Sequence, residues 1–233
     1  MKAELHFQTI FASWQLYAEG LLGTLGLLVC VIPLGFALAV ALALIRKLAP
    51  EPFPRFVTVY VEFLRNTPFI VQLFYIYFGL GSLGFPIPPV MGALLALTLN
   101  LSAYSTEIIR AGIDSIHKSQ LEAGLSLAMT RMQLYRHVVI MPALGKVWPA
   151  LSSQFVLTML ATSVCSFIPV TDLMAATKFI EANTSRGFEA YLIPAPLYLL
   201  VALLMKWALN RLGRTLFPAL QDARSASASK GLG

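Results

Sequence analysis

Charge is scarce in this 233-residue chain: 12% of the residues are Asp, Glu, Lys or Arg, while 58% are apolar. The few charges are gathered rather than scattered. Gly20 to Ile45 is a run of 26 residues without a formal charge, the interval between Arg65 and Glu107 holds 41, and that between Lys146 and Asp172 holds 25. About 20 apolar residues cross a bilayer core, and a charge at its centre costs about 2.5–3.5 kcal/mol. Gaps of this length exclude an ordinary soluble domain. Cysteine is limited to Cys30 and Cys165, both inside apolar runs, which points to helix packing rather than a disulfide framework or a metal cluster. His6, His117 and His137 lie far apart, without metal-ligand spacing. No Gly-x-x-x-x-Gly-Lys-Ser/Thr loop is present to cradle nucleotide phosphates. No serine or cysteine sits beside a plausible base, so catalysis by this chain is not expected. A cleaved signal peptide is not expected either: Glu4 and Glu19 precede the first apolar run, and no small-residue cleavage site closes it.

What is present reads as an all-α membrane protein of five spans, about 20–45, 67–83, 89–110, 144–168 and 190–210. The 41-residue gap is too long for one helix, and Gly79, Gly81, Gly84, Pro86, Pro88 and Pro89 punctuate it into two spans and a tight turn. The last span is the weakest in pattern, because Lys206 and Arg211 must snorkel to the interface. With the first loop inside, the cytoplasmic face receives fourteen of the seventeen basic residues, including Arg46, Lys47, Arg55 and Arg65, and the outer face only Lys2, Lys178 and Arg186. That bias places the N-terminus outside and the C-terminus inside. The net charge of +6 is thereby explained by a membrane face near anionic lipid, without nucleic acid. Residues 1–19 are expected as an extracytoplasmic segment, 20–217 as the transmembrane domain, and 218–233, rich in Ser, Ala and Gly, as a disordered cytoplasmic tail.

A polar segment at about 114–142 lies between the third and fourth spans. It carries two capping boxes, Ser119-x-x-Glu122 and Thr130-x-x-Gln133, in which a hydroxyl and a side chain three residues on can satisfy free N–H groups at a helix start. Two short helices follow, about 120–128 and 131–138. Leu121, Leu125, Ala128, Met132, Tyr135 and Val139 alternate at spacings of four and three, an apolar stripe that needs a partner. A loop this ordered, on the cytoplasmic face, is expected to be a docking surface.

Polar residues inside spans usually face the bundle interior. Gln72, Asn100, Tyr104, Ser153, Gln154, Thr158, Thr162 and Ser166 are therefore the candidates for a polar path, although each has a plainer use in bonding a neighbouring helix. Glu107 and Arg110 are expected to form an i,i+3 ion pair at the cytoplasmic end of the third span.

Several segments carry a resemblance. Glu122-Ala123-Gly124 opens a loop that runs to Pro142, Tyr60 to Pro68 includes Arg-Asn-Thr-Pro, and Gln72 to Leu80, Ser102-Ala103-Tyr104, Glu107 to Ile113 and Thr162-Ser163 follow in register. Together they cover roughly residues 15–217. On these the chain resembles the inner-membrane permease subunit of a bacterial ATP-binding-cassette importer, of the polar amino-acid branch with a type I importer fold. The resemblance implies ATPase subunits that bind the ATP, a second permease subunit (identical or homologous), an extracytoplasmic solute-binding protein, an amino-acid substrate, and no cofactor in this chain. It also implies that the loop couples to the ATPase through Glu122, Ala123, Gly124, Ala128, Arg131 and Arg136.

The chain departs from the family pattern in four places. Gly124 stands where a second Ala is usual, Ala128 where Gly is usual, and Pro142 lies one residue further from Glu122 than expected. Leu160 and Ala161 replace a Lys-Asp pair found in many relatives, which weakens the case for an acidic amino acid and leaves cationic or neutral ones open. An ion-coupled secondary transporter is the alternative, but it calls for carboxylates within spans, and all eleven acidic residues fall at span ends or in loops. A membrane enzyme such as an intramembrane peptidase would need paired catalytic residues within the spans, and none is evident.

Overall fold

The computed structural model describes residues 12–218, and every regular element among them is helical. Helix α1 spans Trp14–Leu48, so residues 14–19 of the expected outer segment already belong to the first long helix. Residues 1–11, and the expected tail except Pro218, lie outside the described residues. After a turn come α2 (Phe53–Arg65) and α3 (Phe69–Ser82), then α4 (Pro89–Asp114) and the loop helix α5 (Lys118–Ser126). Helix α6 runs through Arg131–Phe167, and α7 (Leu173–Thr184), α8 (Gly187–Leu192) and α9 (Pro194–Leu216) complete the chain.

Four stretches are long and apolar enough to cross a membrane: α1, α4, α6 and the joined α8–α9. The expected final span is therefore helical despite Lys206 and Arg211. Helix α3, expected as a span in its own right, is too short by the same measure.

Helices α1 and α4 pack along each other more extensively than any other pair. Small residues allow it: Ala39 and Ala43 of α1 and Ala93 and Ala96 of α4 are fully buried in one core with Val31, Leu97 and Leu101, letting two backbones approach closely. One end of this pair is clamped by charge. Arg46 and Arg110 each donate to Glu107 at 2.9 Å, Arg110 reaches Asp114 at 2.6 Å, and Lys47 pairs with Asp114. The expected Glu107–Arg110 pair is thus one link in a chain that ties the two helices together.

The opposite end is held by close approach. A Cβ on Gly23 would lie 2.0 Å from the Thr171 carbonyl oxygen, so α1 crosses the 171–173 segment at a distance only glycine permits. Next to it the Thr24 hydroxyl accepts the Leu173 N–H at 3.1 Å, and Tyr17 donates to the Ala190 carbonyl at 2.9 Å. Asp172 caps α7 by accepting the Ala175 N–H at 2.6 Å, yet it is fully buried and its Oδ2 has no partner among the described residues. The outward surface is apolar. Leu199, Leu203, Leu204 and Trp207 of α9 and Phe53, Phe56, Val59 and Phe63 of α2 are all exposed, as suits contact with hydrocarbon.

Burial pushes the Asp172 carboxyl up from 3.8 to about 6, against the smaller opposing pull of its backbone hydrogen bonds and Lys178. A folded pKa above the unfolded one means the fold holds the proton more tightly. Stability is therefore greatest below the unfolded value and falls as pH rises through this window. Asp172→Asn keeps a good capping side chain and removes the titration. Its melting temperature in detergent is expected to stay flat between about pH 4 and pH 7, where that of the natural protein declines.

Candidate functional site: a helix break inside the bundle

The site begins with Pro68. Proline disfavours helical backbone in the residue before it and has no N–H to donate, so α2 ends at Arg65 and α3 restarts at Phe69. A helix that stops leaves its last carbonyls without partners, which is costly away from water. Here each is met by a side chain. The Glu62 carbonyl accepts Asn66 Nδ2 at 2.8 Å, Phe63 accepts the Thr67 hydroxyl at 2.7 Å, Leu64 accepts Gln72 Nε2 at 2.7 Å, and Arg65 accepts the Tyr104 hydroxyl at 3.2 Å. Gln72 Nε2 also reaches the Thr67 carbonyl at 2.8 Å, and Gln72 Oε1 is held by Asn100 Nδ2 at 3.0 Å. The carbonyl side of the break is satisfied. On its other side lie the first amides of α3, which have no helical acceptor, and the Arg65 guanidinium, 5.6 Å from the Tyr104 ring centroid.

A cavity of about 400 Å³ opens at this break, walled by residues 65–69, by Asn100 and Tyr104 of α4, and by Gln154, Leu157, Thr158 and Ala161 of α6. That is within the usual range for a small-molecule site, about 300–1,000 Å³. Arg65 is its only formally charged side chain. Arg65, counted above among the basic residues of one face, lines this cavity and is exposed. Its carbonyl bonds Tyr104, ten residues or about 15 Å along the α4 axis from the Asp114 clamp.

Of the eight polar candidates, Asn100, Tyr104, Gln154 and Thr158 line the cavity. Gln72 is buried behind the break and positions it. Ser153, Thr162 and Ser166 do not line it: each hydroxyl donates to a carbonyl of its own helix, at Pro149, Met159 and Ser163 respectively. Sequence reading missed Arg65, Asn66 and Thr67 as site residues. The signal was Pro68, whose effect on the preceding residues marks a break within an apolar stretch.

The 114–142 loop forms a second region, differing from expectation at both helix starts. Helix α5 begins at Lys118, and His117, not Ser119, caps it, with Nδ1 accepting the Ser119 N–H at 3.2 Å. Glu122 is exposed and caps nothing among the described residues. The imidazole supplies an acceptor two residues earlier than the hydroxyl would. The second box is present as expected: Thr130 Oγ1 accepts the Gln133 N–H at 3.3 Å and Gln133 Oε1 accepts the Thr130 N–H at 2.9 Å. The helix it opens does not stop at 138, however. It passes through a widened π turn, Tyr135–Val139, into the long helix that carries Gln154. A π turn holds one residue more than an α turn, which matches the extra residue between Glu122 and Pro142 and relieves the helix just before that proline.

The other two departures of the loop are also accounted for. A Cβ on Gly124 would lie 2.2 Å from Leu134 Cδ1, so the Gly lets α5 seat on the buried Leu134 of α6. Ala128 takes φ 57° and closes α5: its N–H reaches the Leu125 carbonyl at 2.9 Å and the Met129 N–H reaches Gly124 at 3.2 Å. This is the paired bonding of a glycine-type helix stop, formed by an alanine at a cost of about 1–2 kcal/mol. The apolar stripe divides. Val139 is buried and Leu121 and Tyr135 pack on the core, whereas Leu125, Leu127 and Met132 are 53%, 78% and 61% exposed. Arg131 and Arg136 flank them, both exposed, as is Ala123.

A multi-span helical bundle with a small-molecule-sized cavity at a broken helix and an ordered loop beyond the spans has the architecture of a membrane transport subunit. Residues 31–218 match the family model described as binding-protein-dependent transport system inner membrane component, and the chain belongs to that family. It is 31% identical over 212 residues to the probable glutamine ABC transporter permease protein GlnM of Bacillus subtilis, covering 91% of this chain and 98% of that protein. A solved amino acid ABC transporter with histidines superposes with TM-score 0.83 at 33% identity, covering 91% and 99% of the two chains. The MetNI methionine ABC transporter, inward facing, shares the fold with TM-score 0.72 at 20% identity, over 87% of this chain and 97% of that one. The protein is accordingly a multi-pass inner-membrane permease component of an ATP-driven importer, a family in which a separate ATPase hydrolyses the ATP. The ion-coupled reading has no support.

Gln72→Leu removes the donor shared by two carbonyls of the break and the acceptor for Asn100. Each buried polar group left unpaired costs about 1–3 kcal/mol. The expected outcome is a lowered melting temperature and lost transport, with Gln72→Asn, which keeps the amide, milder on both counts, checked by thermal unfolding in detergent alongside uptake by the reconstituted transporter.

Proposed function

We propose that the chain carries amino acids through the cavity at the Arg65–Phe69 break, with the substrate carboxylate held by Arg65. The observation that carries this reading is the one-sided chemistry of the break. Its carbonyls are all taken by Asn66, Thr67, Gln72 and Tyr104, which leaves the Arg65 cation as the one charged group of the lining, a setting for an anion. The names of the relatives, which speak of glutamine and of an amino acid, support the class. Arg65→Gln should lower uptake about 10–100-fold in the reconstituted transporter, the worth of one charge-assisted hydrogen bond of about 1.5–3 kcal/mol, and Arg65→Lys should recover part of it. Unchanged uptake in Arg65→Gln would refute the carboxylate assignment.

In this reading α2 and α3 together make one interrupted span, the fifth beside the four long ones, with the N-terminus outside and the C-terminus inside. The 114–142 loop is then the cytoplasmic coupling element. Leu125, Leu127 and Met132 enter a groove of the ATPase subunit, which binds the ATP, and Glu122, Arg131 and Arg136 meet polar groups at its rim. An extracytoplasmic binding protein delivers the substrate, and a second permease subunit, identical or homologous, completes the path. Force reaches the cavity through α6, which is continuous from Arg131 to Gln154, 23 residues or about 35 Å of helix. The orientation is tested by cysteine labelling in intact cells, in a background lacking Cys30 and Cys165. An impermeant thiol reagent should modify a cysteine at Ser185 and not one at Ser119; the reverse pattern would invert the orientation and remove the coupling role.

A further inference from the structure

We propose that the cavity admits amino acids with an uncharged polar side chain and rejects cationic ones, and that Gln154 is the position that decides this. The inference rests on the assignment of the substrate carboxylate to Arg65. With that pair formed, the remaining wall consists of residues 66–69 and the α4–α6 residues Asn100, Tyr104, Gln154, Leu157, Thr158 and Ala161, and contains no carboxylate. The nearest acidic residue along α4, Glu107, is already bound by both Arg46 and Arg110, and Glu62, whose Oε2 accepts Asn66 Nδ2 at 3.3 Å, lies outside the lining, so the wall itself supplies no carboxylate to a substrate side-chain guanidinium or ammonium. A cationic side chain would add a second positive charge to a cavity that already holds Arg65, and an unpaired charge taken out of water carries a cost of several kcal/mol. A second substrate carboxylate would fare little better, because Arg65 is committed and the α4–α6 wall supplies only amides, two hydroxyls already donating to carbonyls, and carbon.

Within that wall the polar groups are not equal. The Asn100 amide is engaged by Gln72, and the Thr158 hydroxyl donates to the Gln154 carbonyl. The Gln154 side-chain amide makes no hydrogen bond among the described residues and offers both a donor and an acceptor, the complement of a carboxamide or hydroxyl. Ala161 lies two turns further along the same helix, and its methyl leaves that part of the wall neutral.

The test uses the purified permease–ATPase complex in lipid nanodiscs, without binding protein, and measures equilibrium binding of glutamine, arginine, glutamate and glutamine methyl ester. Glutamine is expected to bind at least about ten-fold more tightly than arginine or glutamate, since unpaired buried groups discriminate by this much or more. Gln154→Glu should raise arginine affinity at least about ten-fold and invert the preference. Thr158→Asp, one turn along the same wall, should do the same if Gln154→Glu does not assemble. Arginine or glutamate binding as tightly as glutamine to the natural complex overturns the proposal, as does an unchanged arginine-to-glutamine ratio in both variants. Methyl ester binding as tightly as glutamine instead overturns the carboxylate assignment to Arg65, and absence of binding by every probe overturns both.

Discussion

The rest of the structure depends on how the carbonyls freed by Pro68 are satisfied. A helix cannot stop inside a bilayer without partners for its last carbonyls, and this one stops beside the middle of α4. Four side chains resolve the problem, and they fix the geometry around it. Tyr104 ties the break to α4, Gln72 ties it to its own continuation, and Asn100 holds Gln72 in place. The cavity follows from this arrangement. A straight helix through residues 53–82 would present its side chains to α4 and α6, and no backbone amide would face the space between them. The polar groups that make the site are mostly engaged in preserving the interruption, which leaves Arg65 and Gln154 comparatively free for what enters.

The long-range charge pattern made the class of protein legible. Uncharged gaps of span length and the bias of basic residues need no knowledge of packing, and the four long helices lie where those gaps are. The interrupted helix was not legible in the same way. Arg65 has the sequence context of a residue at a membrane face, because charge inside a span is usually avoided, and only the contact of its carbonyl with Tyr104 brings it to the cavity. Among the polar candidates, residue type alone could not separate Gln154 and Thr158, which line the cavity, from Ser153 and Thr162, which do not, since Thr158 bonds its own helix just as they do. That distinction is one of helical face and of the turn where α6 tightens after Ala161, neither of which the sequence pattern resolves. His117 replaced Ser119 as a cap for a similar reason: two acceptors lay within reach, and the choice fell to the path of the chain out of α4.

The loop shows local chemistry and tertiary fit acting on the same few residues. Gly124 and Ala128 exchange the usual places of Ala and Gly, and the structure connects the exchange to two separate demands. At 124 the demand is space, because Leu134 occupies the volume of a Cβ. At 128 the demand is backbone handedness, and alanine meets it at a cost. The buried contact between α5 and α6 and the exposed apolar residues beside it then form a single rigid protrusion, built so that its inner face is packed and its outer face is left for a partner.

The widened turn at Tyr135–Val139 has a further effect on how such a loop can change. Adding one residue to an uninterrupted α-helix rotates everything beyond it by about 100°, enough to swing Gln154 and Thr158 out of the cavity and bring a lipid-facing side of α6 into it. A π turn takes up the added residue locally and leaves the downstream faces in register. The protrusion and the cavity-lining part of α6 are thereby insulated from each other in length while remaining one continuous helix. Insertions and deletions in the protrusion can accumulate, and track a changing partner, without redrawing the chemistry of the passage about 35 Å away.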